Sequence, residues 1–231
     1  DGRYRSKIGL SPAIARPVAG SFDFKKNVLT LILFSLIEEG DRRNLFLEIG
    51  EVLENHKGFF RPSIEGYGLA MFIPKDVVVT EEGDIVIHEV ESYTDGANHP
   101  RNLQYICFEK EGVKYIIANV HGIWNGQGKT DTEDRIKQSN KIQNFLEKFV
   151  EYKKIVCGDF NLAINTESVS ILENKMKNMI REYKISSTRT SLYTKSERHA
   201  DYIFISPDIK VRNFEVLTDE VSDHAPLLLE I

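Results

Sequence analysis

Five short stretches of this 231-residue chain place acids, a carboxamide or imidazoles at the ends of apolar, strand-like runs. Gly158-Asp159-Phe160-Asn161 follows the run Lys154–Cys157. In an extended chain alternate side chains share a side, so Asp159 and Asn161 face the same way. A carboxylate there can orient or deprotonate a water, and a carboxamide can donate to a phosphate oxygen. Ser222-Asp223-His224-Ala225-Pro226 precedes the terminal apolar run. Its acid can bind a cation while its imidazole contacts a phosphate. Asp201, opening the run Tyr202–Ser206, can accept the N–H of an imidazole and orient it. His121, closing Val113–Val120, can hydrogen-bond a substrate oxygen. Glu38 ends the run Val28–Ile37 and offers the hard oxygen that Mg²⁺ prefers. Each stretch alone also reads as an ordinary turn or solvated strand end. Their shared position at strand ends favours one metal-dependent phosphoryl site.

The elements that must position these residues are legible from periodicity. Strands are expected at Val28–Ile37, Tyr67–Ile73, Val77–Thr80, Asp84–Val90, Leu103–Glu109, Val113–Val120, Lys154–Cys157, Tyr202–Ser206, Val211–Leu217 and Pro226–Ile231. The pair Glu82-Gly83 reads as a turn, and Lys110-Glu111-Gly112 as a hairpin. Helices are expected over Asp41–His56, from Thr130 to about Tyr152 with Thr130 and Glu133 as a capping box, and over Ser168–Tyr183. Residues 1–27, 91–102 and 186–199 read as loop. The last of these carries Arg189, Tyr193, Lys195 and Arg198, which can meet an anion or simply be solvated. The order implies an α/β fold with two mixed, largely antiparallel sheets packed face to face and helices outside.

Composition bounds the rest. With 41% hydrophobic and 28% charged residues the chain is of ordinary globular type, read as a single domain over residues 1–231. A formal net charge of −5 argues against holding nucleic acid by bulk electrostatics. It does not argue against an enzyme that brings its own cations. No run approaches the ~18 apolar residues of a membrane helix, and without a charged n-region and small-residue cleavage site no signal peptide is expected. Cys107 and Cys157 lack metal-site spacing and read as buried free thiols, in keeping with a cytoplasmic default. No obligate protein partner is inferred. Gly122-Ile-Trp-Asn-Gly-Gln-Gly128-Lys129-Thr130 imitates a phosphate-binding P-loop, but one residue too many separates Gly122 from Gly128-Lys129. A glycine-rich rim to a substrate cleft, with Trp124 and Asn125 near substrate, is the better reading.

From about Leu31 onward the chain resembles the endonuclease/exonuclease/phosphatase superfamily, which includes DNase I, abasic-site endonucleases, neutral sphingomyelinases and inositol-polyphosphate phosphatases. The resemblance rests on G-D-F-N at Gly158–Asn161, S-D-H-A-P at Ser222–Pro226, A-D-Y-I-F at Ala200–Phe204 and N-V-H-G at Asn119–Gly122, in that family's order. It implies a four-layered α/β sandwich and a hydrolase acting on a phosphodiester or phosphomonoester. Nucleic acid, phospholipid and sugar phosphate all remain open as substrate. By the resemblance Glu38 and Asp223 would ligate Mg²⁺ or Mn²⁺, and Asp159 would position or activate the attacking water. Asn161 would bind the phosphate, His224 paired with Asp201 would contact it, and His121 and Arg101 would add substrate contacts. The family's first strand, ending in Asn, has no counterpart in residues 1–27, which read as a divergent or partial N-terminus. Ile37 stands where Gln usually precedes the metal-binding acid. These departures keep open a degenerate, non-catalytic binding module.

Overall fold

The computed structural model describes residues 16–24, 27–37, 44–90, 99–220 and 222–231. Its strands are β1 (Arg16–Phe24), β2 (Asn27–Ile37), β3 (His56–Ile64), β4 (Tyr67–Pro74), β5 (Val79–His88), β6 (Arg101–Lys110), β7 (Val113–His121), β8 (Lys153–Asp159), β9 (Lys177–Asn178), β10 (Asp201–Ile205), β11 (Asn213–Val216) and β12 (Leu227–Glu230). The helices are α1 (Leu45–Val52), α2 (Glu133–Glu147), α3 (Glu167–Glu173) and α4 (Met179–Glu182). One sheet runs β11-β12-β1-β2-β4-β3 and the other β5-β6-β7-β8-β10-β9. Only β1–β12 and β7–β8 pair in parallel among the described strands. No helix among the described residues is long and apolar enough to cross a membrane.

Strand β4 explains the layering. It is buried on both faces, so its period of two feeds two cores. Met71 and Ile73 join Phe59, Leu227 and Leu229 of their own sheet and Ile106, Ile117, Val156 and Ile203 of the other in one cluster. Ala70 and Phe72 face outward instead, against Leu45 and Ile49 of α1. Helices α2 and α3 cover the second sheet through Ile142, Phe145, Leu146, Val169 and Leu172. The expected four-layered sandwich is therefore the observed one. Cys107 and Cys157 are buried free thiols, and burial pushes the Cys107 thiol up to about 12.

Several boundaries differ from the sequence reading. The expected loop 1–27 holds β1 over Arg16–Phe24, seated between β2 and β12. Strand β3 went unread because Pro62 and scattered polar residues mask its alternation, and its edge position tolerates the proline. No turn forms at Glu82-Gly83. Gly83 lies opposite Tyr105 inside a continuous β5, which is bulged at both ends. Helix α2 starts later than expected, because Thr132 rather than Thr130 caps it, accepting from the Arg135 N–H at 3.3 Å. The expected helix Ser168–Tyr183 is broken. The Asn178 carboxamide donates to Glu173 at 2.7 Å and accepts from the Ile180 N–H at 3.0 Å, while Lys177–Asn178 pairs with β10.

Gly158 is the tightest point under the site. Its φ of +142° lies where glycine alone is comfortable, and an added Cβ would sit 1.9 Å from the Val120 carbonyl oxygen. We expect Gly158→Ala to lose about 3 kcal/mol or more of stability, measured by urea unfolding.

Candidate active site

Strand register assembles the site. In β7–β8 His121 lies opposite Asp159, and in β8–β10 Asp201 lies opposite Asp159. Directly opposed residues project to the same face, so the three side chains form a row across the sheet end. The fourth member comes from the other sheet. The segment entering β12 is held by Ala225 N–H donating to the Thr188 carbonyl at 3.0 Å and by a bridge between Arg189 and His224. This brings His224 Nδ1 to 2.7 Å from Asp201 Oδ1. Asp201 is fully buried, and its second oxygen accepts from the Thr188 hydroxyl at 2.9 Å. The imidazole is thereby fixed with Nδ1–H on Asp201 and Nε2 toward Asp159.

Asp159 is equally buried. Its Oδ1 accepts the Asn161 backbone N–H at 2.9 Å, and its Oδ2 lies 3.6 Å from His224 Nε2. Neither Oδ2 nor Nε2 has a hydrogen-bond partner, although both are out of solvent. The two atoms face each other without a direct bond, and an exogenous oxygen can be received between them. Burial would raise the Asp159 pKa, but His224, His121, Arg189 and Lys129 outweigh it and hold the carboxyl well below the usual range. Asn161 adopts φ +53° and its carboxamide donates to the Gly122 carbonyl at 3.3 Å. That glycine is needed, since a Cβ there would meet the Phe160 carbonyl oxygen at 2.3 Å.

The remaining expected residues divide. His121 Nε2 is 3.9 Å from Asp159 Oδ2, and its Nδ1 is 2.5 Å from the Tyr67 hydroxyl. Arg101 is buried behind that tyrosine, donating to its hydroxyl at 3.4 Å, so it borders the site through Tyr67. Asp223 stands outside the group of potential ligands formed by Asp159, Asp201 and His224. Its Oδ2 accepts from Arg189 at 3.1 Å. Glu38 lies outside the described residues. Asn125 is engaged locally, its Oδ1 accepting the Gln127 N–H and the Arg135 guanidinium.

Sequence reading undervalued Tyr67, Lys129 and Arg189. A cleft of about 500 Å³ is lined by Asn161, Asp223, Lys129, Arg189, Tyr193 and Trp124. Lys129 arrives there from the glycine-rich segment, which is no P-loop. Arg135, fully buried on α2, donates to the Ile123, Gly128 and Thr130 carbonyls and shapes that segment. The cue was that Lys129 lies in the glycine-rich segment and Arg189 in the loop 186–199, both already singled out.

A metal ion can be tested against the donors. Asp159, Asp201 and His224 offer ligand atoms within 4.8 Å of one another. Both Asp201 oxygens are already engaged, so this trio is better read as an oriented imidazole beside an available carboxylate. The hard donors that suit a divalent cation are Asp159 Oδ2 and the Asp223 carboxylate at the cleft wall.

Comparison with known proteins gives the family and supports the fold. The family model described as "Endonuclease/Exonuclease/phosphatase family" matches residues 33–224, and the chain belongs to that family. A model for a family of unknown function matches residues 1–49. No curated protein matches the chain. A mannosyl-6-phosphatase of Bacteroides thetaiotaomicron superposes with TM-score 0.66 at 20% identity, covering 79% of each chain. The human nocturnin catalytic domain with bound sulfate gives 0.59 at 19%, covering 82% of this chain and 75% of that one. A truncated TDP2 of Caenorhabditis elegans gives 0.64 at 15%, covering 83% and 79%. At these identities the solved structures speak for the fold.

Lys129 supplies a pH test. Burial first, and then the neighbouring Arg189, lower its pKa from 10.5 to about 8, against the opposing pull of Asp159, Asp201 and Glu197. Between about pH 8 and 10.5 the unfolded chain holds the extra proton, so stability should rise with pH across that window. Urea unfolding of wild type and Lys129→Met should show this rise in the difference between the two proteins. A flat difference would place the ammonium in an ordinary exposed setting.

Proposed function

We propose that this chain, acting as one domain, is a divalent-metal-dependent phosphoesterase that hydrolyses a phosphodiester or phosphomonoester. The observation that carries the reading is the buried, unsatisfied pair of Asp159 Oδ2 and His224 Nε2 facing each other at 3.6 Å. In this reading His224, oriented by Asp201, contacts a phosphate oxygen, and the Asn161 carboxamide contacts a second. Asp159 stays ionised at neutral pH, so it orients the attacking water and accepts its proton for release to solvent. The water oxygen forms its bond to phosphorus in line as the ester P–O bond breaks, and the departing alkoxide takes a proton from solvent. His121, steadied by Tyr67, stands near the leaving oxygen, and Arg101 supports that side.

Mg²⁺ or Mn²⁺ would be held by Glu38 and Asp223. Such an ion supplies charge stabilisation to the phosphate and leaving oxygen. The family assignment supports the class of reaction. The substrates named for the similar structures, a mannosyl 6-phosphate among them, support a phosphate ester as ligand. The two buried thiols suit a reducing compartment such as the cytoplasm. A non-catalytic binding module is the second reading, favoured by the Arg189 guanidinium that already occupies Asp223 Oδ2.

Activity on p-nitrophenyl phosphate and bis-p-nitrophenyl phosphate should require Mg²⁺ or Mn²⁺ and vanish with EDTA. Asp159→Asn and His224→Ala should each lower kcat on the order of 10²- to 10⁴-fold with folding unchanged by circular dichroism. Full activity of Asp159→Asn would remove the water-positioning role. Absence of turnover together with absence of calorimetric metal binding would select the binding module.

A further inference from the structure

The walls of the cleft beside Asn161 present three cationic side chains and one carboxylate. Lys129 is 7% exposed, and its ammonium donates to the neutral His199 carbonyl at 2.9 Å. Among the described residues no carboxylate lies within ion-pair distance of it. It sits instead over the Tyr193 ring at 5.2 Å, and the same ring carries the Arg189 guanidinium at 4.3 Å and that of Arg198 at 5.8 Å. At the outer end Lys195 lies over Trp124 at 5.4 Å. Attraction to an aromatic face is too weak to compensate a nearly buried ammonium crowded by a guanidinium. Such a group is costly to keep unless an anion visits it.

The charge count sets the kind of anion. Lys129, Arg189 and Lys195 line the cleft against the single carboxylate Asp223, an excess of two positive charges on the lining itself, while Asp159, Asp201 and Glu197 act on Lys129 from outside the lining. Asn161 forms the inner wall, so the excess lies beside the phosphate position of the proposed reaction. Trp124 and Leu192 add apolar surface, and about 500 Å³ suits a small molecule.

Resting on the phosphoesterase reading, we propose that this cleft is a specificity site for small-molecule phosphomonoesters. Lys129 and Arg189, held over Tyr193, receive the doubly charged phosphate, and Trp124 and Leu192 pack on the remainder of the molecule. A phosphodiester carries one charge and gives Lys129 and Arg189 a single anionic charge to share. Tyr193 is a positioning residue that keeps both cations aimed at one point.

Trp124 is the only tryptophan of the chain, so its emission reports occupancy of the cleft. Inorganic phosphate and dimethyl phosphate, titrated into the full chain in chelator-treated buffer where phosphate is mostly dianionic, separate charge recognition from turnover. Phosphate should bind saturably and at least tenfold more tightly than dimethyl phosphate. Lys129→Met should abolish that preference while leaving the weak binding of dimethyl phosphate unchanged. Tyr193→Leu, which keeps both cations, should reduce the preference as well. Equal affinity for the two anions, no binding of either, or a preference that survives Lys129→Met would overturn the proposal. With Mg²⁺ supplied, p-nitrophenyl phosphate should exceed the bis ester in kcat/KM, and the reverse order would also overturn it. Selective anion binding without turnover of either ester would instead refute the phosphoesterase reading and leave the anion site standing.

Discussion

Two carboxylates buried directly opposite each other across a strand pair are the constraint on which the site depends. Asp159 and Asp201 face each other between β8 and β10, each almost without solvent contact. Like charges so placed repel, and desolvation adds to the cost. The pair is tolerable because His224 enters from the other sheet between the two carboxylates, bonded to one and facing the other. Thr188 satisfies Asp201 further, while His121, Arg189 and Lys129 draw on Asp159. The imidazole thus closes an electrostatic problem created by strand register, and that closure couples the two sheets at the end where the cleft opens.

The surrounding loops follow from this demand. The path from β7 to α2 must carry a cation to the cleft without a regular element to hold it. Arg135 and Gln138 of α2 do so from below, spending a buried guanidinium and carboxamide on loop carbonyls and the Ile123 N–H. The path from α4 to β10 delivers Arg189 and Tyr193 and ties them to Asp223 and His224. Cations crowded on one ring and a carboxylate without its partner are unfavourable for folding and suited to an anionic ligand.

The legibility of this chain followed the kind of signal each element carries. Asp159, Asn161, Asp201, His121 and His224 were readable because chemistry-bearing residues terminate apolar runs, and β8 and β10 are buried on both faces and so stand out. Their convergence was inferable only from order along the chain, since register is a tertiary fact. Strand β1 was missed because Arg16, Pro17 and Gly20 hide a pattern that matters only once β2 and β12 flank it. The break at Asn178 was missed because Leu172, Met176, Met179 and Ile180 are all buried along a bent path that helical spacing mimics. Lys129 and Arg189 were undervalued because burial of a cation in a loop depends on partners distant in sequence, here His199, Tyr193 and Asp223.

The central claim is that Asp159 Oδ2 and His224 Nε2 await a phosphate or water oxygen. A crystal structure of the chain grown with Mg²⁺ and inorganic phosphate tests it most directly. The account predicts a phosphate oxygen within about 3 Å of His224 Nε2, a second near the Asn161 carboxamide, and the His224–Asp201 bond retained. Phosphate bound elsewhere, with His224 turned to bond Asp159 directly and Asp201 left to another partner, would contradict it.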